Sequence, residues 1–595
     1  MARWMLYTKK ADFKAIAEDC GISQVLARVI RNRDVVGSLQ TRRFLKGGLE
    51  DLHDPCLLPD MEKAAGILCE KISAGEAVRV IGDYDVDGIC ASYILMRVLA
   101  ACGAQADVVL PDRIRDGYGM NPQMADDAAQ DGIGLILTCD NGIAAAEAVA
   151  RAREAGICVV VTDHHEVPYE ECADGAKTWI LPPADAVVDP KVRDPRTGQI
   201  EYPFPEICGA VVAWKLSDLL LQRLAPEKRT EVLQELLPFC ALATVCDVMP
   251  LADENRILVR EGLRLISGTK NIGLRSLLTV NGLEDRPITT YHAGFVIGPC
   301  LNATGRLDNA ERALALFLED DPAEALRSAQ KLRELNDSRK SLTEQGVQNA
   351  LIQISEKHLL DYRVMVIFLP DCHESLAGII AGRIRERCSR PVFVLTRTEN
   401  GLAKGSGRSI EAYDMFAHMT GVKECFVKFG GHKMAAGLSM REEDIPVLQD
   451  KLEETCGLSQ EDLTDVIHID MELPPSLWNF EMTEELRLLE PCGTANPRPV
   501  FAARGIRLRG VRVMGKGRNV LGFEAVDQGG RTLSLTWFCE ADVFEEKVTA
   551  ARGAGAWRAL QEGRADLTVS MVYHPEINEW RGRRSLRYVI RDMHF

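Results

Sequence analysis

The chain has 595 residues, too many for one hydrophobic core, and this length implies three or four domains. An apolar share of 46% with 27% charged residues is ordinary for a soluble globular protein, and no apolar run approaches the ~20 residues that a membrane-spanning helix needs. The formal net charge of -16 argues against a protein that coats nucleic acid by bulk electrostatics, but not against one that grips it locally.

Residues 1–57 carry short amphipathic patterns and arginine-rich stretches, Arg28 to Arg33 and Arg42-Arg43, and read as a docked helical leader. They lack a basic stretch followed by an apolar core and cleavage site, so a cytoplasmic location is expected. A helix from Met61 to Ser73 leads into a buried strand, Val78 to Ile81, which runs into Asp83-Tyr84-Asp85-Val86-Asp87-Gly88. Three carboxylates in five residues repel one another unless a cation neutralises them, and oxygen ligands at this spacing suit Mg²⁺ or Mn²⁺ better than Zn²⁺. A helix over Ala91 to Ala101 and a strand over Ala106 to Leu110 follow. Next comes the turn Pro111 to Gly119, where Arg113 and Arg115 suit a phosphate.

The strand-then-acid pattern recurs. Leu135 to Leu137 leads to Asp140, Val159 to Val161 leads to Asp163-His164-His165, and Ala243 to Pro250 carries Asp247. Alternating strands and helices indicate a largely parallel sheet whose strand ends lie side by side, which would gather these groups into one metal centre. Residues Pro168 to Cys208 read as a surface excursion before a helix from Ala210 to Leu224. Helices over Arg256 to Ile266 and Gly273 to Val280 precede the glycine-bearing stretch Gly298 to Leu307, in which Arg306 is suited to a backbone phosphate. Ala323 to Leu359 reads as a bridging helix or pair of helices.

A second α/β unit starts at Arg363 to Leu369 and continues through a helix from Leu376 to Arg387 and a strand from Pro391 to Leu395. Glycine-rich turns around Arg408 and His432 would let backbone amides approach a phosphate. From about Glu461, short alternating runs indicate an antiparallel barrel. Arg504, Arg507, Arg509, Arg512, Lys516 and Arg518 lie there without an intervening acid, and a second cluster spans Arg581 to Arg591. Trp537, Phe538 and Tyr573 could stack on bases or belong to the core. Eighteen cysteines are scattered without a CxxC pair and read as reduced.

Taken together these motifs resemble a known family. Asp83 to Gly88, Cys139-Asp140-Asn141-Gly142, Asp163-His164-His165 and Cys246 to Pro250 look like the four motifs of the DHH phosphoesterases. Gly298 to Leu307 resembles the additional motif of the RecJ branch, Gly405 to Ser409 and Phe429 to Gly437 the signatures of the associated DHHA1 domain, and Glu490 to Pro497 the start of a RecJ oligonucleotide-binding domain. The implied architecture is α/β: a leader (1–57), a DHH parallel-sheet catalytic domain (58–270), the RecJ motif and a helical connector (271–359), a DHHA1 α/β domain (360–460) and a C-terminal β-barrel of the OB-fold (461–595).

The resemblance further implies a single-stranded-DNA-specific 5′ to 3′ exonuclease of recombination and repair, working by two-metal hydrolysis with Mn²⁺ or Mg²⁺. In that scheme Asp140 bridges the ions, Asp85 with Asp83 nearby holds one, and Asp87, His164 and Asp247 hold the other. His165 faces the scissile phosphate, Arg306 and Asn302 the backbone, and Arg113, Ser406, Arg408, Ser409 and His432 the terminal phosphate, while Arg507, Arg509, Arg512 and Lys516 form a nucleic-acid surface. A monomer is expected, with single-strand-binding protein and a RecQ-type helicase as partners by family resemblance. Ile81 stands where small-molecule DHH enzymes carry a metal-binding histidine, Cys300 at a position often basic in the RecJ branch, and Cys372 at one often tryptophan. Two other readings stay open: a phosphodiesterase for very short RNA or cyclic dinucleotides, and a non-enzymatic replication scaffold.

Overall fold

The computed structural model describes the whole chain apart from Met1, Ile114, residues 172–176, Glu399, Lys516, residues 565–566, Arg581 and the side chain of Trp580. It divides into two compact units, one formed by Leu52–Met249 with Ile257–Thr464, the other by Met1–Asp51, Pro250–Arg256 and Asp465–Phe595. Among the described residues no helix is long and apolar enough to cross a membrane.

The first unit holds two sheets. A five-stranded parallel sheet runs in the order Ala106–Val109, Val78–Ile81, Leu135–Cys139, Cys158–Thr162, Ala186–Val188. The three central strands are buried along nearly their whole length, as continuous apolar runs covered by helices on both faces must be. Ala186–Val188 corrects the reading of 168–208 as surface, because this stretch supplies the edge of the sheet. A three-residue strand is too short to show a period.

The 35-residue helix Pro322–Glu356 leads to the second sheet, and it is a single continuous helix, not a pair. Gly346 within it permits a close approach of Ile380, whose Cδ1 a Cβ there would meet at 2.4 Å. In the second sheet Met365–Phe368 pairs in parallel with Val392–Arg397, and Leu402–Arg408, Ala435–Arg441 and Lys428–His432 follow antiparallel. The glycines around Arg408 and His432 therefore sit within strands and not in turns, which corrects the sequence reading. Gly405, Gly407 and Gly431 serve close packing, a Cβ at Gly405 lying 2.0 Å from the Val394 carbonyl oxygen, whereas Gly430 and Gly437 have open space beside them.

In the other unit, Phe501–Met514, Val520–Val526, Thr532–Trp537, Arg583–His594 and Leu567–Trp580 pair in that order, and the last closes back on the first. This is a five-stranded closed barrel, antiparallel except where Thr532–Trp537 meets Arg583–His594, with the OB-fold's Greek-key order. Trp537 and Tyr573 are buried in its core, so neither stacks on bases, whereas Phe538 is exposed. The Tyr573 hydroxyl is committed inside, accepting from Trp478 Nε1 at 2.8 Å. The leader helix Gln24–Asn32 buries Leu26, Val29 and Ile30 in the same core, and Arg3–Leu6 pairs in parallel with Val466–Ile469.

Candidate metal centre

The parallel register lets the central strands end in step: Ile81 lies opposite Thr138, and Cys139 opposite Thr162. Whatever follows each strand emerges at one sheet edge, where ligands of α/β folds bind. Asp83, Asp85 and Asp140 accordingly form one group whose ligand atoms lie within 4.8 Å of one another, and Asp87, His164 and Asp247 form another. Asp140, His164 and His165 form a third, so Asp140 belongs to both sides of the cluster. His164 Nε2 lies 3.0 Å from Asp140 Oδ1, 3.5 Å from Asp87 Oδ2 and 3.8 Å from Asp247 Oδ2.

Backbone geometry fixes each carboxylate. Asp85 caps the helix Val86–Ala101 by accepting from the amides of Asp87 and Gly88 at 2.9 and 3.2 Å. Asp87 accepts from Gly209 N and Ala210 N, at 2.7 and 2.8 Å, at the positive end of the helix Gly209–Leu224. Asp247 follows the helix that ends at Cys246, and Asp140 sits in the left-handed region at φ 61°. Gly209 has to lack a side chain, because a Cβ there would stand 2.6 Å from Asp140 Cβ.

The donor set fits divalent cations. Both oxygens of the buried Asp83, Oδ1 of Asp140 and both ring nitrogens of His164 have no hydrogen-bond partner among the described residues. Buried polar atoms left this way cost about 1–3 kcal/mol each, more when charged, unless a ligand satisfies them. Burial first, then the neighbouring carboxylates, hold Asp83 and Asp140 well above the usual range; Asp85 is raised by the same causes, and Asp247 to about 8. Burial also lowers His164 to about 4, leaving a neutral imidazole with a free lone pair. Ile81, by contrast, is fully buried in the apolar core and offers no ligand.

His165 differs from its neighbour. Burial opposes its protonation, but the bond from Nδ1 to Asp163 Oδ1 at 2.8 Å and that carboxylate's charge outweigh it and raise the imidazole to about 9. Asp163 also accepts from the amides of Ile143 and His164, and burial is there outweighed by its contacts with the histidine pair, which hold it below the usual range. Tyr118 donates its hydroxyl to the Asp140 carbonyl at 2.7 Å and lies 3.0 Å from His165 Nδ1. Sequence reasoning assigned no role to Tyr118, Asp163 or Gly209. Of these only Asp163, beside two histidines, carried a local signal.

A group of arginines faces this centre. Burial lowers Arg306 to about 9, helped by the charges of Arg113, Arg339 and Arg408, and Arg408 is lowered by burial and Arg113. Arg306 Nη1 donates to the Ser375 carbonyl at 2.8 Å, and Arg113 lies 4.1 Å above the Tyr84 ring. Arg408 and Ser406 share one strand face over Gly378, where a Cβ would come 2.8 Å from Arg408 Nη2 and 3.4 Å from Ser406 Cβ. Cations crowded together at such cost form a ready oxyanion site.

The remaining expected contacts differ in their surroundings. Ser409 is buried and donates its hydroxyl to the Tyr413 carbonyl at 2.7 Å, which removes it from the phosphate set. His432 is exposed at the end of its strand, with Nδ1 accepting from Met434 N, and Asn302 is half-buried on the helix that carries Arg306. On the barrel, Arg507, Arg509 and Arg512 alternate with core residues and point outward, Arg512 pairing with Glu524 at 2.8 Å. Lys516 and Arg581 lie outside the described residues.

Comparison with known proteins gives the chain's family. Residues 77–244 match the DHH family N-terminal domain, 361–458 the DHHA1 domain and 469–592 the RecJ OB domain. The chain is 32% identical over 585 residues to the single-stranded-DNA-specific exonuclease RecJ of Escherichia coli, covering 95% of each protein. It belongs to the RecJ family. Crystal structures of Thermus thermophilus RecJ with Mn²⁺ and with Mg²⁺ superpose with TM-scores of 0.80 and 0.73, at 27% and 26% identity, over the whole of this chain and 79% and 78% of theirs. Within this RecJ-family chain Cys300 is buried, its sulfur accepting from Asn281 and Asn336, so a charged side chain would have no room to reach out from that position.

Proposed function

We propose that this RecJ-family chain is a metal-dependent exonuclease that removes nucleotides from the 5′ end of single-stranded DNA. The observation that carries this reading is a buried cage of carboxylates and a neutral imidazole, in which both oxygens of Asp83, Oδ1 of Asp140 and the ring nitrogens of His164 lack hydrogen-bond partners among the described residues, next to a group of crowded arginines. Asp83, Asp85 and Asp140 would hold one Mn²⁺ or Mg²⁺ ion, and Asp87, His164 and Asp247, with Asp140 shared, a second. Bound there, such ions activate water and neutralise charge building on a phosphoryl group.

The chain's own residues do the rest. His165, kept protonated by Asp163 and steadied by Tyr118, offers a positive hydrogen-bond donor to the scissile phosphate. Arg306 binds the backbone, and Arg113, Ser406 and Arg408 bind the terminal phosphate, which confines cleavage to strand ends. Arg507, Arg509 and Arg512 grip the strand farther along. We place the enzyme's work in the cytoplasm, where its DNA lies. We take the chain as a monomer, with single-strand-binding protein and a RecQ-type helicase as partners, and the five sequence-defined segments as its parts, with the leader packed into the barrel.

The test is the cleavage of a 5′-labelled strand, alone and in a duplex, with Mn²⁺ or Mg²⁺. Release of labelled mononucleotide from the single strand alone supports the reading. Preference for dinucleotides over long strands, or no divalent-ion dependence, overturns it.

A further inference from the structure

The helical run that carries Arg306 begins sixteen residues earlier, at Thr290, and passes through a π-helical turn, Ala293–Ile297, before the helix Gly298–Leu307. Turns of this kind are often found at functional sites. One side of the run is seated on the end of the helix that delivers Asp247. The Ala293 carbonyl accepts from Cys246 Sγ at 3.6 Å, and a Cβ at Gly298 would come 2.3 Å from the same sulfur.

The other side is open. Tyr291 and Phe295 are 61% and 70% exposed, and their rings are stacked on each other with centroids 5.4 Å apart and planes 21° off parallel. Single exposed aromatics are common, but a pre-stacked exposed pair spends apolar surface on water without a packing gain inside the chain. Val248, the residue after Asp247, is 66% exposed and held in the left-handed region at φ 59°.

Position along the run gives the pair its meaning. Phe295, Pro299, Asn302 and Arg306 follow the i, i+4, i+7, i+11 spacing of one helical stripe, and all are exposed or half-buried while Cys300, Leu301, Ala303 and Thr304 between them are buried. Arg306 at one end belongs to the arginine group. Cys246, the residue before Asp247, touches the run at Ala293 and Gly298, and the aromatic pair closes the other end, about 16 Å from Arg306 at helical rise.

We infer that Tyr291 and Phe295 are a base-stacking platform for the single-stranded substrate, receiving nucleotides on the far side of the metal centre from the arginine group. This deepens the proposed function and rests on it. The occupant is the strand itself, because the platform continues the stripe that ends in a phosphate contact, and stacking accepts any base by its π-face.

The test uses the full chain with Mn²⁺ and 5′-phosphorylated oligonucleotides. Replacing both residues by leucine keeps apolar bulk and removes the rings; replacing Phe295 by Trp keeps a ring. The leucine variant should raise KM for a long strand by about tenfold or more, the scale of one missing stack, with a smaller change in kcat, and F295W should recover most of it. An abasic site walked along the strand should reproduce this loss in the wild type at one register, and add nothing in the leucine variant. A fluorescent purine at that register should be quenched by the wild type and not by the variant. Equal KM and quenching in wild type and leucine variant overturn the platform and point to a protein partner or a second copy on this face. A loss in kcat that F295W does not rescue overturns it in favour of support for Asp247. Failure of the nuclease reading shows separately, as a wild-type chain that does not cleave.

Discussion

Asp140 is the residue on which the proposed site turns, because its carboxylate groups with Asp83 and Asp85 on one side and with His164 and His165 on the other. Asp140→Ala should reduce hydrolysis below detection while DNA binding stays measurable by fluorescence anisotropy; retained turnover would contradict a shared ligand. Gly209→Ala tests the packing behind it. The added methyl would displace Asp140 and tilt the amides that hold Asp87, and a drop of about 10–100-fold in Mn²⁺ affinity by titration calorimetry is expected, the scale typical of weakened support for a ligand. Asp85, Asp87, Asp140 and His164 were legible as candidate ligands in one dimension, since each follows closely on an apolar run. Ser409 shows the opposite case. Its place beside Arg408 suggested a phosphate contact, but the strand ends at Arg408 and turns the next side chain inward to Tyr413.

At the scale of elements, the helix Gln24–Asn32 is part of the barrel's core, not an appendage, with Leu26, Val29 and Ile30 fully buried. Leu26→Ala should cost about 2–5 kcal/mol in the denaturant-induced unfolding of the barrel unit. An unchanged midpoint would mean that the helix is dispensable. The strand Phe501–Met514 makes a separate prediction. Its register shifts near Gly505 and Arg509 leave Arg504, Arg507, Arg509 and Arg512 all outside the barrel. Reversing Arg507 and Arg509 to glutamate should weaken binding of long strands and lower the salt slope by about 0.7 for each phosphate that is no longer neutralised. If cleavage of a bound short oligomer stops instead, the surface has another role. Strands of this length were legible from alternation, but Trp537 and Tyr573 were not separable from base-stacking residues until closure of the barrel put them inside.

For the whole molecule, the cage sets a pH dependence. Between about pH 7, where an ordinary imidazole has lost its proton and the lowered His164 no longer counts against it, and about pH 8, where Asp247 titrates in the fold, the cage keeps protons that it loses on unfolding. Stability of the metal-free protein therefore falls as pH rises through this window, and the raised Asp83, Asp85 and Asp140 act in the same direction. Mn²⁺ replaces those protons, so the rise in Tm that it causes should be larger near pH 8 than near pH 6. A pH-independent rise in scanning calorimetry would mean that the ion binds elsewhere. The amino-acid sequence alone determined the α/β rhythm, the barrel and the acids and imidazoles that end successive apolar runs, because hydrophobic period and charge spacing are local properties. Only the tertiary structure decided that Tyr118 supports His165, that the amides of Gly209 and Ala210 hold Asp87, and that the arginines crowd around Arg306. These depend on distances between residues far apart in the chain, and no local pattern encodes such distances.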